Sequence, residues 1–165
     1  MNAFDDAPPA LGLRARAPVS VMLASLVTIL PFVATFPVLP PFGLMLLLGW
    51  RLRRPDALPI WAPLPLGLFD DLASGQPLGS AIVLWTFAFF SIDLIERRVM
   101  LRGFWQDWLI AAGGITAALI GGRLIAAPLG AHVDTVLLIQ ISVSILLFPV
   151  AASLCGRLDA RGATP

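Results

Sequence analysis

Two adjacent carboxylates, Asp70 and Asp71, are the residues of this sequence best suited to proton chemistry. An acid/base dyad needs two carboxylates that converge on one water molecule from different elements of the fold. Neighbouring residues on a helix point about 100° apart, so these two cannot form a dyad within one chain. The sequence therefore favours a structural role, with one carboxylate buried at a helix end and the other exposed.

His132, Asp134 and Arg123 are the other candidates for chemistry. The first two lie on a predicted loop and could bind a metal ion or relay protons, but two ligands are too few for a closed site, which favours a solvated loop. Arg123 is predicted to be a buried or interfacial charge. It either snorkels to the membrane surface or pairs with Asp134 or Asp107, and binding of an anionic substrate is the alternative. We predict no catalytic residue, no metal, no cofactor and no enzymatic activity.

The segments that must position these residues are strongly apolar. Of the 165 residues, 58% are hydrophobic and only 13% are charged, and the mean hydropathy is +0.89. A soluble domain has about 45–50% apolar and about 25% charged residues. Its interior could not hide this much apolar surface at this chain length. The composition predicts an integral membrane protein whose environment is the lipid bilayer, with no role in binding nucleic acid.

Six apolar segments are candidates for membrane-spanning helices, since a lipid-exposed backbone must satisfy its own hydrogen bonds. They cover residues 18–36, 38–50, 58–69, 78–92, 105–127 and 136–155. The second and third are short and contain several prolines, so a re-entrant hairpin with four full spans is the alternative. We predict an all-α, polytopic membrane helical bundle. A six-span membrane domain over residues 18–155 lies between cytoplasmic tails at 1–17 and 156–165.

The distribution of charge favours six spans. All 11 basic residues are arginine, and cytoplasmic loops of membrane proteins are enriched in Arg and Lys. With six spans and both termini inside, only Arg123 lies towards the outer side. The remaining arginines lie inside: Arg14, Arg16, Arg51, Arg53, Arg54, Arg97, Arg98, Arg102, Arg157 and Arg161. An odd number of spans destroys this asymmetry, so we predict a multi-pass protein of a cytoplasmic membrane.

The most informative stretch joins the third and fourth segments and contains Gly67, Asp71, Gly75, Pro77 and Gly79. Gly75 can take a positive φ and close the third helix. Pro77 suits the first turn of the fourth helix, and Gly79 would allow close helix approach. Asp71 lies four residues after Gly67 and shares its helix face, where the carboxylate must face protein or water rather than lipid.

This stretch resembles the MreD family, the small membrane subunit of the bacterial elongasome. Family members typically have a basic loop with an Arg-Pro pair, here Arg54-Pro55, followed by Gly-x-x-x-Asp-x-x-x-Gly-x-Pro-x-Gly. The resemblance covers residues 54–79, and the rest of the chain matches in length, hydropathy and number of spans. Asp70 and the proline-rich third segment depart from the pattern, which leaves open which carboxylate makes the structural contact.

The resemblance implies a non-enzymatic scaffold of the cell-wall elongation machinery in the bacterial inner membrane. Such a protein binds the single-span partner MreC. Together they help connect the MreB filament to RodA and its transpeptidase partner, and so maintain rod shape. The alternative, from a different class, is the substrate-binding membrane component of a small-solute, vitamin-type transporter. That function needs several convergent polar groups in a pocket, and the candidates are Asp71, Gln76, Arg123 and His132.

Overall fold

The computed structural model describes residues 11–27, 39–96, 103–126 and 135–160. Within these ranges the chain forms six α-helices and a short 3-10 helix, with no strand, so the predicted all-α fold class is confirmed. The α-helices are α1 (Leu11–Leu26), α2 (Phe42–Arg53), α3 (Pro63–Ser74), α4 (Ser80–Glu96), α5 (Phe104–Ala126) and α6 (Thr135–Ala160), and the 3-10 helix at Pro55–Ala57 joins α2 to α3.

The bounds of α3 differ from the predicted segment at both ends. Leu58 is extended, and α3 begins only at Pro63, where a missing backbone N–H costs nothing because the first helical donors have no partner within the helix. The helix then continues through both carboxylates to Ser74 instead of ending at residue 69. At the other end of the chain, α1 already begins at Leu11, and residues 28–36 of the first predicted segment lie outside the described residues.

Helix α2 lies at the centre of the bundle. It packs against α1, α4, α5 and α6, and nine of its 12 residues are buried. A helix that is apolar on every side is suited to such an interior position. At about 1.5 Å per residue, α2 is roughly 18 Å long and much shorter than the hydrocarbon core of a bilayer. Its neighbours shield it, which explains how so short an apolar segment is accommodated.

The other five helices surround α2, and α1, α3, α4, α5 and α6 are neighbours in that order. Their outward faces expose many large apolar side chains, including Leu72, Val83, Phe87, Leu109 and Leu146. An apolar surface of this extent is typical of an interaction with lipid or with another protein. Among the described helices, α5 over Phe104–Ile125 and α6 over Thr135–Ala160 are long and apolar enough to cross a membrane.

Ion pairs bring the carboxyl ends of α2, α4 and α6 together. Arg51 Nη2 donates to Asp93 Oδ1 at 2.6 Å, and the guanidinium lies 5.2 Å from the centre of the Phe89 ring. Arg54 Nε donates to Asp159 Oδ2 at 2.9 Å on a more exposed surface. We call this part of the bundle the arginine end.

A second contact defines the opposite end. Gln140 Nε2, in the second turn of α6, donates to the carbonyl oxygen of Leu39 just before α2, at 2.7 Å. The amino ends of α2 and α6 are therefore adjacent, as their carboxyl ends are at the arginine end. Successive helices run in alternating directions through the bundle, which is the arrangement that the arginine distribution predicts for neighbouring spans.

Candidate functional site

The carboxylate of Asp71 caps a different helix from the one that carries it. Its Oδ2 accepts a hydrogen bond from the Gly79 N–H at 2.8 Å. Its Oδ1 accepts from the Ser80 hydroxyl and from the Ala81 N–H, both at 2.9 Å. The first N–H groups of a helix have no partner within the helix, and a negative charge is favourable at its positive end. Asp71 is only 1% exposed, so the prediction that it faces protein and not lipid is confirmed.

Gly67 allows α3 and α4 to approach closely. A Cβ atom on Gly67 would lie 2.8 Å from both the Cα and the N of Ile82, and 2.9 Å from the carbonyl carbon of Ala81. These are backbone atoms, which cannot move aside as a flexible side chain can. Gly67 and Asp71 thus face the same end of α4, and their predicted shared helix face is confirmed. The close approach that we assigned to Gly79 belongs to Gly67.

The turn between α3 and α4 depends on two glycines with positive φ. Gly75 closes α3 as predicted, with φ 67° and ψ 19°, and its N–H donates to the Asp71 carbonyl oxygen at 3.1 Å. Gly79 has φ 97°, and a Cβ on it would meet no atom within 4 Å. The prediction that Gly79 provides close packing is therefore wrong, since its backbone angle is what requires glycine.

Pro77 lies in this turn, three residues before α4 begins, and not in the first helical turn as predicted. Its carbonyl oxygen accepts a hydrogen bond from the Ser80 N–H at 3.0 Å, so the turn leads directly into the helix. The five motif residues thus build one connection. Within the 13 positions from 67 to 79, they bring α3 close to α4, end α3, reverse the direction of the chain and cap the start of α4.

Asp70 points away from this connection. Its Oδ1 lies 3.3 Å from the position that a Cβ on Gly43 would occupy, and the side chains of Ser25 and Trp85 border the same position. Asp70 therefore faces α1 and α2, whereas Asp71 faces α4. The carboxylates diverge as the helix geometry predicts, and Asp71 makes the structural contact. The prediction of an exposed second carboxylate is wrong, because Asp70 is half-buried.

A cavity of about 290 Å³ opens beside Asp70, at the end of the bundle opposite the arginine end. Four polar residues from three helices and one turn line it: Asp70, Gln76, Arg123 and Gln140. The remaining lining residues are mostly apolar and come from α2, α4, α5 and α6. The structure thus brings an acidic group, a basic group and two amides around one space.

Two of the four residues considered for a solute pocket, Gln76 and Arg123, line this cavity. Asp71 does not line it, since its carboxylate accepts hydrogen bonds from the start of α4. His132 and Asp134 lie outside the described residues.

The proposed pairing of Arg123 with Asp107 is excluded. Asp107 lies in the first turn of α5 and Arg123 in the last. Sixteen positions (123 − 107) along one helix correspond to about 24 Å. The Arg123 side chain is exposed at the mouth of the cavity, where a positive charge is also favourable beside the negative helix end. Pairing with Asp134 remains a prediction, because Asp134 lies outside the described residues.

Sequence reasoning missed Ser80, Gln140 and Asp93, which donate or accept the hydrogen bonds described above. Gln140 and Asp93 each stand alone in an apolar run. A polar group in such a run must find a partner inside the protein, because an unpaired buried polar group is costly. That isolation was the available signal, although it does not identify the partner.

The fold and the connection define an all-α helical bundle with helices suited to a membrane. Comparisons of the chain with protein-family models, with curated proteins and with solved structures found no match.

Proposed function

We propose that the protein is a six-span scaffold of the bacterial cytoplasmic membrane that acts in cell-wall elongation and binds a single-span, MreC-like partner. The observation that carries this proposal is the connection between α3 and α4. Each residue of the Gly67-to-Gly79 pattern has a definite place in that one structural unit. The residues on which the MreD resemblance rests thus form one structural unit in this fold, which supports the proposal.

The chemistry of the connection also favours a scaffold. All three hydrogen bonds that the Asp71 carboxylate accepts in the described structure come from the start of α4, and a buried carboxylate held in this way is a structural anchor. Such a connection fixes the angle between two helices, and so presents a rigid surface to a partner.

Six spans are supported by three features of the bundle. Successive helices alternate in direction, the outer helices expose apolar faces, and the arginines at one end match the cytoplasmic side of a membrane. In this orientation the arginine end is cytoplasmic and the cavity faces outwards. Contacts with the MreB filament, RodA and its transpeptidase partner belong to the same proposal and depend on the partner complex.

Co-purification tests this proposal directly. The full chain is co-expressed with the single-span membrane protein encoded beside it, solubilised in mild detergent and purified through a tag on one partner. We expect recovery in a constant molar ratio. We also expect Gly67→Leu to lower recovery of the partner, because it pushes α3 and α4 apart, whereas Asp56→Asn on the exposed 3-10 helix leaves it unchanged. A folded wild-type chain that is always recovered alone would refute the scaffold.

The cavity favours the alternative, a substrate-binding membrane component of a small-solute transporter. Such a component would raise uptake of a labelled solute when it is co-expressed with the energy-coupling subunits of its transporter. A scaffold would instead be required for rod shape in cells whose own elongation subunit is depleted. The two measurements separate the functions, since each reports a phenotype that the other function does not produce.

A further inference from the structure

We infer that the groove between α1 and α6 binds an anionic phospholipid. One acyl chain would lie in the groove, and Arg16 and Arg157 would hold the phosphate group at the arginine end. The inference rests on the proposed placement of the bundle in a bilayer, and not on binding of the single-span partner. No residue of the α3–α4 connection lines the groove, so the two sites are separate.

The ring of helices around α2 is most open between α1 and α6. Of the five neighbouring pairs in the ring, these two helices pack against each other least over the described residues. A cavity of about 220 Å³ lies between them, and the first half of α2 forms its floor. We call this space the α1–α6 groove, and its lining includes Ala24, Val27, Met45, Leu46, Val150 and Leu154.

The α1–α6 groove opens towards the surroundings of the bundle, since three of its α6 side chains are partly exposed. Leu147 is 38% exposed, Leu154 is 46% exposed and Val150 is 55% exposed. All the lining residues are apolar, so their side chains offer no partner to a polar ligand. In a bilayer such a surface contacts hydrocarbon chains, which are as apolar as leucine.

The volume of the groove favours a single acyl chain over a partner helix. One turn of an α-helix is about 10 Å across and about 5.4 Å long, which corresponds to roughly 400 Å³. The groove, at about 220 Å³, has little more than half of that volume. A hydrocarbon chain is narrower than a helix and can pack against the floor of the groove without moving its walls.

On α1, one helical face leads from the groove to the arginine end. Arg16, Ser20 and Ala24 follow each other at intervals of four residues and therefore share this face. The Ser20 hydroxyl accepts a hydrogen bond from Trp50 Nε1, in the last turn of α2, at 2.9 Å. Because the last turn of α2 belongs to the arginine end, Arg16 lies at that end too, one turn beyond Ser20. Its side chain is exposed.

On α6, Arg157 continues the other wall of the groove. It follows Leu154 by three residues and Val150 by seven, so the three residues share one helix face. The seven positions (157 − 150) correspond to about 10 Å along the helix, which the glycerol group and the first carbons of an acyl chain can cover. Arg157 is exposed in the last turn of α6. The two arginines therefore lie on opposite walls at the same end of the groove.

Charge complementarity identifies the headgroup. Among the described residues, neither the Arg16 nor the Arg157 guanidinium takes part in an ion pair or a hydrogen bond. A guanidinium binds a phosphate group through two parallel hydrogen bonds. Phosphatidylglycerol carries a negative phosphate and no positive group, whereas the phosphate of phosphatidylcholine is balanced by its own ammonium. An anionic phospholipid therefore matches both the apolar groove and its charged end.

Native mass spectrometry of the full chain in detergent, with lipid added in increasing amounts, tests the inference. The probes are phosphatidylglycerol and phosphatidylcholine with identical acyl chains. We expect the first phosphatidylglycerol molecule to bind at least fivefold more tightly. Arg16→Gln and Arg157→Gln should each weaken its binding about fivefold, which corresponds to about 1 kcal/mol for each basic residue near an anionic lipid surface. Lysine at either position should retain most of the affinity.

Matched variants separate the site from overall charge and from added bulk. Arg53→Gln removes the same charge at the arginine end, but Arg53 Nη1 lies 2.8 Å from the position that a Cβ on Gly156 would occupy. Gly156 is two residues, or about 200°, from Leu154 around α6, so this arginine is on the other side of the helix and its variant should bind normally. Ala24→Phe fills the groove and should weaken phosphatidylglycerol binding at least fivefold, whereas Leu23→Phe changes a 60% exposed neighbour and should not.

A phosphatidylglycerol with a photoactivatable acyl chain locates the bound lipid on the wild-type protein, so this measurement does not depend on the folding of any variant. We expect cross-links in peptides that contain Ala24, Met45 or Leu154. Cross-links spread evenly over the outer helices would overturn the inference, as would equal affinity for the two lipids or normal binding by both glutamine variants.

Recovery of the single-span partner is measured on the same variants. If Ala24→Phe loses the partner and the wild-type chain shows no lipid preference, the groove docks a helix and the inference is wrong. We expect normal partner recovery with Arg16→Gln and Arg157→Gln. A failed scaffold and a failed lipid site thus give different results, since the first loses the partner from the wild-type chain and the second loses only the lipid preference.

Discussion

Replacing Asp71 with alanine removes the only side chain that the described structure places on the first donors of α4. The buried N–H group of Ala81 and the partly buried N–H group of Gly79 lose their acceptor. The Ser80 hydroxyl can turn towards Gln76 Oε1, which is already 3.5 Å away. A buried donor left without a partner costs about 1–3 kcal/mol, and a partly buried donor costs less because water can reach it. The two N–H groups together therefore predict a loss of roughly 3 kcal/mol in the free energy of unfolding.

Denaturant titration of the detergent-solubilised chain, followed by far-UV circular dichroism, measures this loss. Asp71→Asn should fall between wild type and alanine. If the Asn oxygen stays with Ser80 and Ala81, its NH₂ group faces the Gly79 N–H, and two donors then oppose each other. Asp56→Ala on the exposed 3-10 helix is the control and should change stability by less than about 0.5 kcal/mol. A loss for Asp71→Ala below about 1 kcal/mol, the typical value for an exposed helix cap, would refute the buried-cap reasoning.

Three further predictions concern packing, backbone angle and ion pairs. Gly67→Ala should lower the free energy of unfolding by about 1–3 kcal/mol because the new Cβ overpacks the contact between α3 and α4. Gly113→Ala is the control and should not destabilise, since a Cβ there meets no atom within 4 Å. Equal effects of the two variants would contradict the close approach. Gly75→Ala should cost about 1–2 kcal/mol because of its positive φ, and the Asn variant should cost less, which the same titration measures; a neutral alanine variant would be inconsistent with the left-handed cap. Arg51→Ala should lower the free energy of unfolding by about 3–5 kcal/mol because it breaks a largely buried ion pair with Asp93. Arg54→Ala, which breaks the more exposed pair with Asp159, should cost less than about 1 kcal/mol. The reverse order would show that burial does not decide the strength of these pairs.

Local sequence patterns predicted the features that depend on neighbours along the chain. Gly75 as a helix cap and the shared face of Gly67 and Asp71 follow from helix periodicity and from the conformational freedom of glycine. All three partners of the Asp71 carboxylate lie within ten positions of it. Over such a distance, a turn signal and a helix face are enough to predict that the carboxylate is buried against protein.

Features that depend on distant residues could not be predicted in this way. Gln140 and Leu39, which form a hydrogen bond, are 101 positions apart. The faces of Asp70 and Arg123 are set by the packing of whole helices, so their common cavity is not visible in any local pattern. The misassigned role of Gly79 has a related cause. The sequence shows that a glycine is present at a position. It does not show whether glycine is required there by a lack of space for a Cβ atom or by a positive φ.

The Asp71 cap also has a consequence for biosynthesis. Helix α3 is only 12 residues long and carries two acidic residues in its second half, so its transfer from water into lipid alone would be unfavourable. Once α4 has been synthesised, the carboxylate of Asp71 can be matched by donors that follow it within ten residues. For the six-span arrangement proposed above, we therefore expect α3 and α4 to leave the translocation machinery as a pair, with the hydrogen bonds between them formed before either helix meets lipid.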